Sequence, residues 1–319
     1  MSGARRRMTA AASAPVRAVG PAAQSPRKER AAAVSILSNT ILIVLKVVAG
    51  VVTGSIAILT EAAHSAIDLV ASVIAFFSVR KASEPADEDH PYGHDKVEFF
   101  AAVIVGVLIV VAALSIFRHA WEAWLNPRPI DQPAEGIAIN ALATVLNAIW
   151  SMVLIRVGRH ARSIALVSDG QHLLADVVTS VGVAAGVGAA VLTGYLVLDP
   201  ILAAATGVYV LWSGMAMISS SVGGLMDAAP QPAVVRRIRE LVAESAAGAL
   251  EAHDLRMRHA GKLTFLEFHL VVPGAMTVAE SHGICDHIEE TLRAEMPHLV
   301  ITIHVEPEEK AKQHGVPVL

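Results

Sequence analysis

The sequence is poor in cysteine, in aromatic residues and in charge. A single cysteine, Cys285, excludes both a disulfide framework and a metal cluster built from thiolates. Charged residues make up 17% of the 319 residues, whereas an ordinary soluble domain has about 25%. The net charge of −4 gives no support to nucleic-acid binding, and we predict none. With 54% hydrophobic residues, the chain is predicted to be a multi-pass membrane protein in a lipid bilayer.

Six apolar segments approach or exceed the roughly 20 residues that a helix needs to cross a bilayer. They cover residues 32–53, 55–79, 98–125, 134–157, 168–194 and 199–221. We therefore predict an all-α, six-helix transmembrane bundle over residues 31–224. Lysine and arginine concentrate in the loops after the second and fourth segments, which places both termini in the cytoplasm, and we expect a bacterial inner membrane.

The two ends of the chain differ from this central part. Residues 1–30 are rich in Arg, Ala, Pro and Ser, and we predict a disordered basic cytoplasmic tail. Residues 231–308 have the pattern of a small cytoplasmic α+β domain with the order α-β-β-α-β, which is ferredoxin-like or metallochaperone-like. Residues 309–319 are predicted to form a loose tail.

Two of the apolar segments carry the same polar pattern, acidic-x-x-His-x-x-x-Asp. The two copies are Glu61, His64 and Asp68 in the second segment, and Asp169, His172 and Asp176 in the fifth. Offsets of three and four residues place the members of each copy on one face of a helix. Ionisable groups within a membrane are costly unless they meet a partner, an ion or water. The pattern therefore indicates a functional site inside the bundle.

The central residues of the two copies predict a metal site. His64, Asp68, His172 and Asp176 supply two imidazoles and two carboxylates, a set that zinc accepts in tetrahedral geometry. The alternative is that each histidine pairs with an aspartate and no metal binds. The other acidic residue of each copy either supports the imidazoles or lines a water-filled cavity. Asn39, in the first segment, is expected to form interhelical hydrogen bonds.

A second metal site is predicted in the loop between the second and third segments. Asp87, His90 and His94 can hold a divalent ion, with Pro91 and Gly93 shaping a turn. An ordinary solvated loop is the alternative.

The C-terminal domain carries a third group of candidate ligands. They are His253, His269, His282, His304 and Glu306, with Asp286 as a supporting residue. His304 and Glu306 are two residues apart on a predicted strand and therefore point to the same face.

These motifs together resemble the cation diffusion facilitator family over about residues 30–307. The resemblance implies a homodimer that exports zinc from the cytoplasm in exchange for protons, with Zn²⁺ also binding the loop and the cytoplasmic domain as a regulatory ion. It implies that Lys96 and Asp227 form a charge pair holding the dimer together at the membrane surface. Some relatives have Asp where this chain has His64, and many have Asp where it has Glu61. The site with this histidine resembles zinc-preferring members, whereas an all-carboxylate first half would suit manganese or iron better. Efflux of iron, cobalt, cadmium, nickel or manganese instead of zinc remains the alternative.

Two other functions are compatible with parts of the pattern. Glu61-x-x-His64 and Asp169-x-x-His172 match the Glu-x-x-His arrangement of di-iron carboxylate oxidases. That site needs two further carboxylates at comparable depth, which the first and fourth segments do not offer. A metal sensor that binds without transporting would differ only in flux.

Overall fold

The computed structural model describes residues 25–53, 56–125, 133–195, 197–312 and 316–317. Some side chains within the helices also lie outside the described residues, and those of Glu61 and His64 are among them. Six long helices come first, followed by a small domain of two helices and a sheet.

The six long helices are 27 to 30 residues each. They are α1 (Ser25–Thr53), α2 (Ile56–Ala82), α3 (Val97–Leu125), α4 (Pro133–His160), α5 (Ile164–Thr193) and α6 (Leu198–Leu225). Among the described residues, α3 and the Pro200–Leu225 part of α6 are long and apolar enough to cross a membrane. In α3 no charged residue lies between Glu98 and Arg118, which matches the roughly 20 residues that a bilayer requires.

The long helices pack as pairs: α3 against α6, α4 against α5, and α1 against α2. Glycine permits a close approach between α3 and α6. A Cβ atom on Gly106 of α3 would lie 2.7 Å from the Ile218 side chain of α6, and one on Gly214 of α6 would lie 3.0 Å from Ile109 of α3. Small residues at helix contacts let two backbones come together where apolar burial alone gives no driving force.

Two clusters of buried apolar side chains fill the interior of the bundle. The four-helix cluster joins α1, α2, α4 and α5, and consists of Ala32, Ala75, Val79, Leu154, Ala165, Leu166 and Leu173. The other joins α2, α3, α5 and α6, and consists of Ala71, Val105, Ile109, Ala113, Ala175, Val210 and Met217. Helices α2 and α5 contribute to both clusters and therefore lie at the centre of the bundle.

The C-terminal domain has the order α-β-β-α-β in its main elements. These are α7 (Pro232–Ser245), β1 (Glu251–Ala260), β2 (Leu263–Val272), α8 (Val278–Glu295) and β3 (Leu299–Pro307). Strand β1 is antiparallel to β2, and β2 is parallel to β3. Both helices pack on the sheet over a core that includes Ile238, Phe268 and Leu292. Helix α8 begins with a capping box, in which Thr277 and Glu280 satisfy each other's backbone N–H groups.

Parts of both predicted tails have regular structure. Residues 25–30, at the end of the segment predicted as a disordered tail, belong to helix α1, and there the side chain of Lys28 is buried against the carboxylate of Glu98. The rest of that predicted tail, residues 1–24, lies outside the described residues. The segment predicted as a loose C-terminal tail contributes a two-residue strand, β4 (Val316–Pro317), which pairs with β1. The sheet order is therefore β3-β2-β1-β4.

Candidate metal-binding sites

The bundle brings three of the predicted ligands together at its centre. Asp68 of α2 and His172 and Asp176 of α5 each offer a ligand atom, and these atoms lie within 4.8 Å of one another. His172 Nε2 lies 3.1 Å from Asp68 Oδ1, and both side chains are buried. Because α5 is helical through this stretch, His172 and Asp176 stand one turn apart on the same face.

The chemistry of this group suits a divalent cation. One imidazole and two carboxylates are ligands that zinc and similar ions accept. Within the described part of the chain, His172 Nδ1 has no hydrogen-bond partner. The fourth predicted ligand, His64, and its neighbour Glu61 have side chains outside the described residues, although both positions lie in α2. Their roles stay predictions.

Asp169 has its own hydrogen-bond donors, and its expected role, supporting the imidazoles or lining a water-filled cavity, stays a prediction. In the structure its carboxyl is fully buried and accepts hydrogen bonds from Ser35 Oγ and Ser72 Oγ, both at 2.8 Å. Asn39 Nδ2 donates to Ser72 Oγ at 2.9 Å, an interhelical hydrogen bond of the kind expected for this asparagine.

The loop between α2 and α3 gathers Asp87, His90 and His94. Asp87 Oδ1 lies 3.2 Å from His90 Nδ1, and Asp87 Oδ2 lies 3.3 Å from His94 Nε2. A turn at Gly93, with φ of +86°, brings the imidazoles to a centroid separation of 4.4 Å. The backbone N–H of His90 donates to Asp87 and, with the nearby imidazoles, holds the pKa of that carboxyl below its usual range. Asp87 is therefore a carboxylate at neutral pH, ready to share a cation with the two histidines.

The sheet of the C-terminal domain aligns three histidines in one row. His253 of β1 is paired with His269 of β2, which is paired with His304 of β3. Glu306 approaches all three, at 3.3 Å from His253, 3.2 Å from His269 and 3.7 Å from His304. The predicted alternation along β3 therefore does bring His304 and Glu306 to one face.

The sheet cluster also contains two acidic residues that the sequence reasoning missed. Glu251 Oε1 lies 3.0 Å from His253 Nδ1, and strand alternation could have identified it, since the two residues are two apart. Asp254 groups with His253 and His269. It directly follows His253, so alternation assigns it to the opposite face. An irregularity between His253 and Arg256 and a φ of +51° at Asp254 bring it to the cluster.

His282 is not brought to the sheet cluster within one chain. It lies on the exposed face of α8, where its Nε2 atom is 3.7 Å from Oδ1 of Asp286. The two residues are one helical turn apart, as their spacing implies. Their predicted part in a metal site therefore stays a prediction.

The predicted charge pair forms inside a single chain. Lys96 Nζ, just before α3, lies 2.8 Å from Oδ1 of Asp227, just after α6. Arg258 of β1 approaches the same carboxylate oxygen at 3.5 Å. The hydrogen bond from Lys96, and then the charges of both cations, lower the pKa of Asp227. The pair therefore joins the start of α3 to the end of α6, and Arg258 links it to the C-terminal domain of the same chain.

Comparisons with known proteins agree with this two-part organisation. The profile of the cation efflux transmembrane domain matches residues 32–226, and that of the cation efflux protein cytoplasmic domain matches residues 230–308. An uncharacterised transporter of Synechocystis sp. is 39% identical over 268 residues, which cover 84% of this chain and 86% of the relative. The cation-efflux pump FieF of Yersinia pestis is 31% identical over 285 residues, covering 89% and 94%. A structure of the zinc transporter CzrB in its zinc form is 49% identical, with a TM-score of 0.26, and covers 26% of this chain and 96% of that one.

Proposed function

Because the chain belongs to the cation efflux family, whose members are transporters and not enzymes, we propose that it exports zinc from the cytoplasm by proton antiport. The observation that carries this proposal is the group at the centre of the bundle, in which Asp68 and His172 are buried and Asp176 is partly buried. A transport site has to bind its ion away from both aqueous sides, and these ligands lie between helices rather than on a surface. His64 is proposed as the fourth ligand.

The donor set supports zinc as the substrate. Two imidazoles with two carboxylates suit a tetrahedral zinc ion, whereas manganese and iron favour sets richer in oxygen. Cobalt, cadmium and nickel accept similar ligands, so they are the competing substrates to measure. Replacing His64 by Asp is expected to shift the preference toward manganese and iron.

Proton coupling follows from the chemistry of the same ligands. A neutral imidazole binds a metal ion and an imidazolium does not, so protons and zinc compete for the site. Protons entering from the outer side would release zinc there, and the two occupancies would stabilise opposite-facing states of the bundle. Alternating access would then exchange zinc for protons.

The proposed arrangement in the cell has all six long helices crossing a bacterial inner membrane, with both termini in the cytoplasm. Two copies would form a homodimer through the C-terminal domain. Zinc would act as a regulatory ion when bound to the loop cluster (Asp87, His90 and His94) and to the sheet cluster (His253, His269, His304 and Glu306). Bound zinc would favour one arrangement of the domains over another. The placement of His282 and Asp286 on an exposed helix face leaves them accessible to a second copy.

The test measures zinc transport into proteoliposomes that contain a zinc-sensitive dye. A pH gradient across the membrane drives this transport. His172→Ala and Asp176→Asn are each expected to lower the transport rate by at least about tenfold, because each removes a ligand. Ser78→Ala is the matched control, since this buried serine of α2 donates only to the carbonyl of Ala75 in its own helix. Transport by both ligand variants at the wild-type rate would show that the site is elsewhere.

Family membership argues against one of the two alternative functions, and a flux measurement tests the other. A di-iron oxidase is an enzyme, and membership in a transporter family removes the support for it. A sensor that binds zinc without moving it predicts wild-type zinc binding and no flux in the same proteoliposomes. The flux measurement therefore separates the sensor from the transporter.

A further inference from the structure

A second buried polar group lies next to the proposed transport site and is made of different residues. The Asp169 carboxyl of α5 accepts one hydrogen bond from Ser35 of α1 and one from Ser72 of α2, each at 2.8 Å. The two serine hydroxyl oxygens are 3.1 Å apart, and Asn39 of α1 donates to Ser72. All four side chains are at most 3% exposed. We call this group the serine–aspartate latch.

The latch lies between the transport site and the end of the bundle that meets the C-terminal domain. Asp169 precedes His172 by three residues on α5, a rise of about 4.5 Å. Ser72 follows Asp68 by four residues on α2, which runs in the opposite direction. Both steps lead away from the ligands and toward the loop before α3 and the start of α5. The matched C-terminal domain is a cytoplasmic domain, so this end of the bundle faces the cytoplasm.

The next layer beyond the latch is also closed. The four-helix cluster places Ala75 of α2, Ala32 of α1 and Ala165 of α5 on the cytoplasmic side of the latch, and all three are buried. Helices α1, α2 and α5 are therefore in contact both at the latch and below it. A cation in the cytoplasm has no route between these three helices unless both layers separate.

A buried carboxyl is an unusual choice for a contact that only needs to hold helices together. Serine and asparagine side chains alone can join helices in a membrane, whereas a carboxyl inside the bilayer is costly unless donors surround it. The two serine donors stabilise Asp169 only while α1, α2 and α5 are together. Once the helices separate, water replaces these donors, so the contact breaks reversibly.

We propose that Asp169, Ser35 and Ser72 form the inner gate of the transport pathway, holding the cytoplasmic entrance shut in the state described here. This inference rests on the proposed function for its location, because it assigns the residues that must separate before zinc can reach Asp68 and His172. In this mechanism Asp169 is a positioning residue and not a ligand of the bound ion. Loss of the serine donors should shift the protein toward a state that is open to the cytoplasm.

The test measures exposure of a reporter thiol rather than transport. Ala75→Cys is introduced together with Cys285→Ala, which removes the natural cysteine, and inverted membrane vesicles are labelled with a membrane-impermeant maleimide. Ser35→Ala with Ser72→Ala is expected to raise the labelling rate on the order of tenfold, since each serine donates to a buried carboxyl. Ser35→Ala alone keeps the hydrogen bond from Ser72 to Asp169 and should give an intermediate labelling rate. Ser151→Ala is the control, because this buried serine of α4 donates only to the carbonyl of Ala148 in its own helix.

The outcomes separate the gate from the transport site. An unchanged labelling rate in the double serine variant would overturn the gate, as would an equal increase in the Ser151→Ala control. The single Ser35→Ala variant decides the matter if the double variant does not fold. If His172→Ala transports zinc normally while the serine variants still label faster, the proposed transport site is wrong but the gate formed by the latch residues is supported.

Discussion

Glu98→Gln should destabilise the protein strongly, even though the substitution changes little in shape. Glu98 opens α3 and is 1% exposed, with Lys28 Nζ of α1 at 3.5 Å from its Oε1 atom. Its other oxygen, Oε2, accepts from Ser163 Oγ at 2.6 Å and from the backbone N–H of Ala165 at 3.3 Å. One carboxylate therefore joins the starts of α1, α3 and α5.

The size of the stability loss depends on which of these contacts glutamine can keep. Its carbonyl oxygen can replace Oε2 and retain both hydrogen bonds from α5, whereas its NH₂ group would face the ammonium of Lys28. At 3.5 Å and an effective dielectric constant of 20, the attraction between the two charges is about 5 kcal/mol, and burial of both charges opposes it. Removing one partner of a buried pair costs about 3 to 5 kcal/mol. Because glutamine keeps the α5 bonds, we expect a loss of about 3 kcal/mol.

A double-mutant cycle with Lys28→Met tests this reasoning. Each single variant leaves one polar group buried without its partner, so each should lower the thermal midpoint, by roughly 5 °C at a fixed scan rate in detergent. The double variant removes both charges and should recover more than half of that loss. If the losses of the two single variants simply add in the double variant, Lys28 and Glu98 do not stabilise the protein through their interaction with each other.

Two further predictions concern the C-terminal domain. Glu306→Gln should weaken zinc binding to the sheet cluster by at least about tenfold in titrations of the full chain, whereas Glu309→Gln, an exposed neighbour, should have no effect. Asp227→Asn should lower the free energy of unfolding at pH 7 by less than about 1 kcal/mol, because the pair with Lys96 is partly exposed. The loss should be measurable as a lower thermal midpoint. The pKa of Asp227 lies below its usual 3.8, so its stabilisation is present above pH 3.8 and lost as the pH falls through the lowered value. The difference between wild type and Asp227→Asn should therefore be constant from pH 7 to pH 5 and vanish only in strong acid.

The regular parts of the fold could be predicted because they depend on local pattern. Long apolar stretches gave the positions of the six helices to within a few residues at most ends, and alternation in Leu263–Val272 gave strand β2. The helical conformation of residues 25–30 could not be predicted in this way. The first turns of α1 are stabilised by a contact between Lys28 and Glu98, which are distant in sequence, and no local periodicity reports such a contact.

The candidate sites were predictable to the extent that their residues repeat at regular spacing. The His-x-x-x-Asp of α5 reads directly as one helix face, and the structure brings Asp68 of α2 to that face. The serine donors to Asp169 were not predictable, because they require knowing that α1 and α2 both pack against α5. Asp254 was missed for another reason: a local irregularity in β1 overrides the alternation on which the argument depended.

The contacts between the bundle and the C-terminal domain fasten that domain to one pair of helices. Asp227 lies two residues after α6 and binds Lys96, which directly precedes α3. Arg258 of β1 reaches Asp227, and its guanidinium lies over the rings of Tyr92 and Phe265, 5.1 and 4.5 Å from their centroids. The proposed transport ligands lie on α2 and α5, outside this pair. A rearrangement that moves α2 and α5 relative to α3 and α6 would leave these contacts intact, but it would have to break the hydrogen bonds from Ser163 and Ala165 to Glu98. Since Tyr92 lies between the two histidines of the loop cluster, an ion bound there would act directly on the contact between loop and sheet.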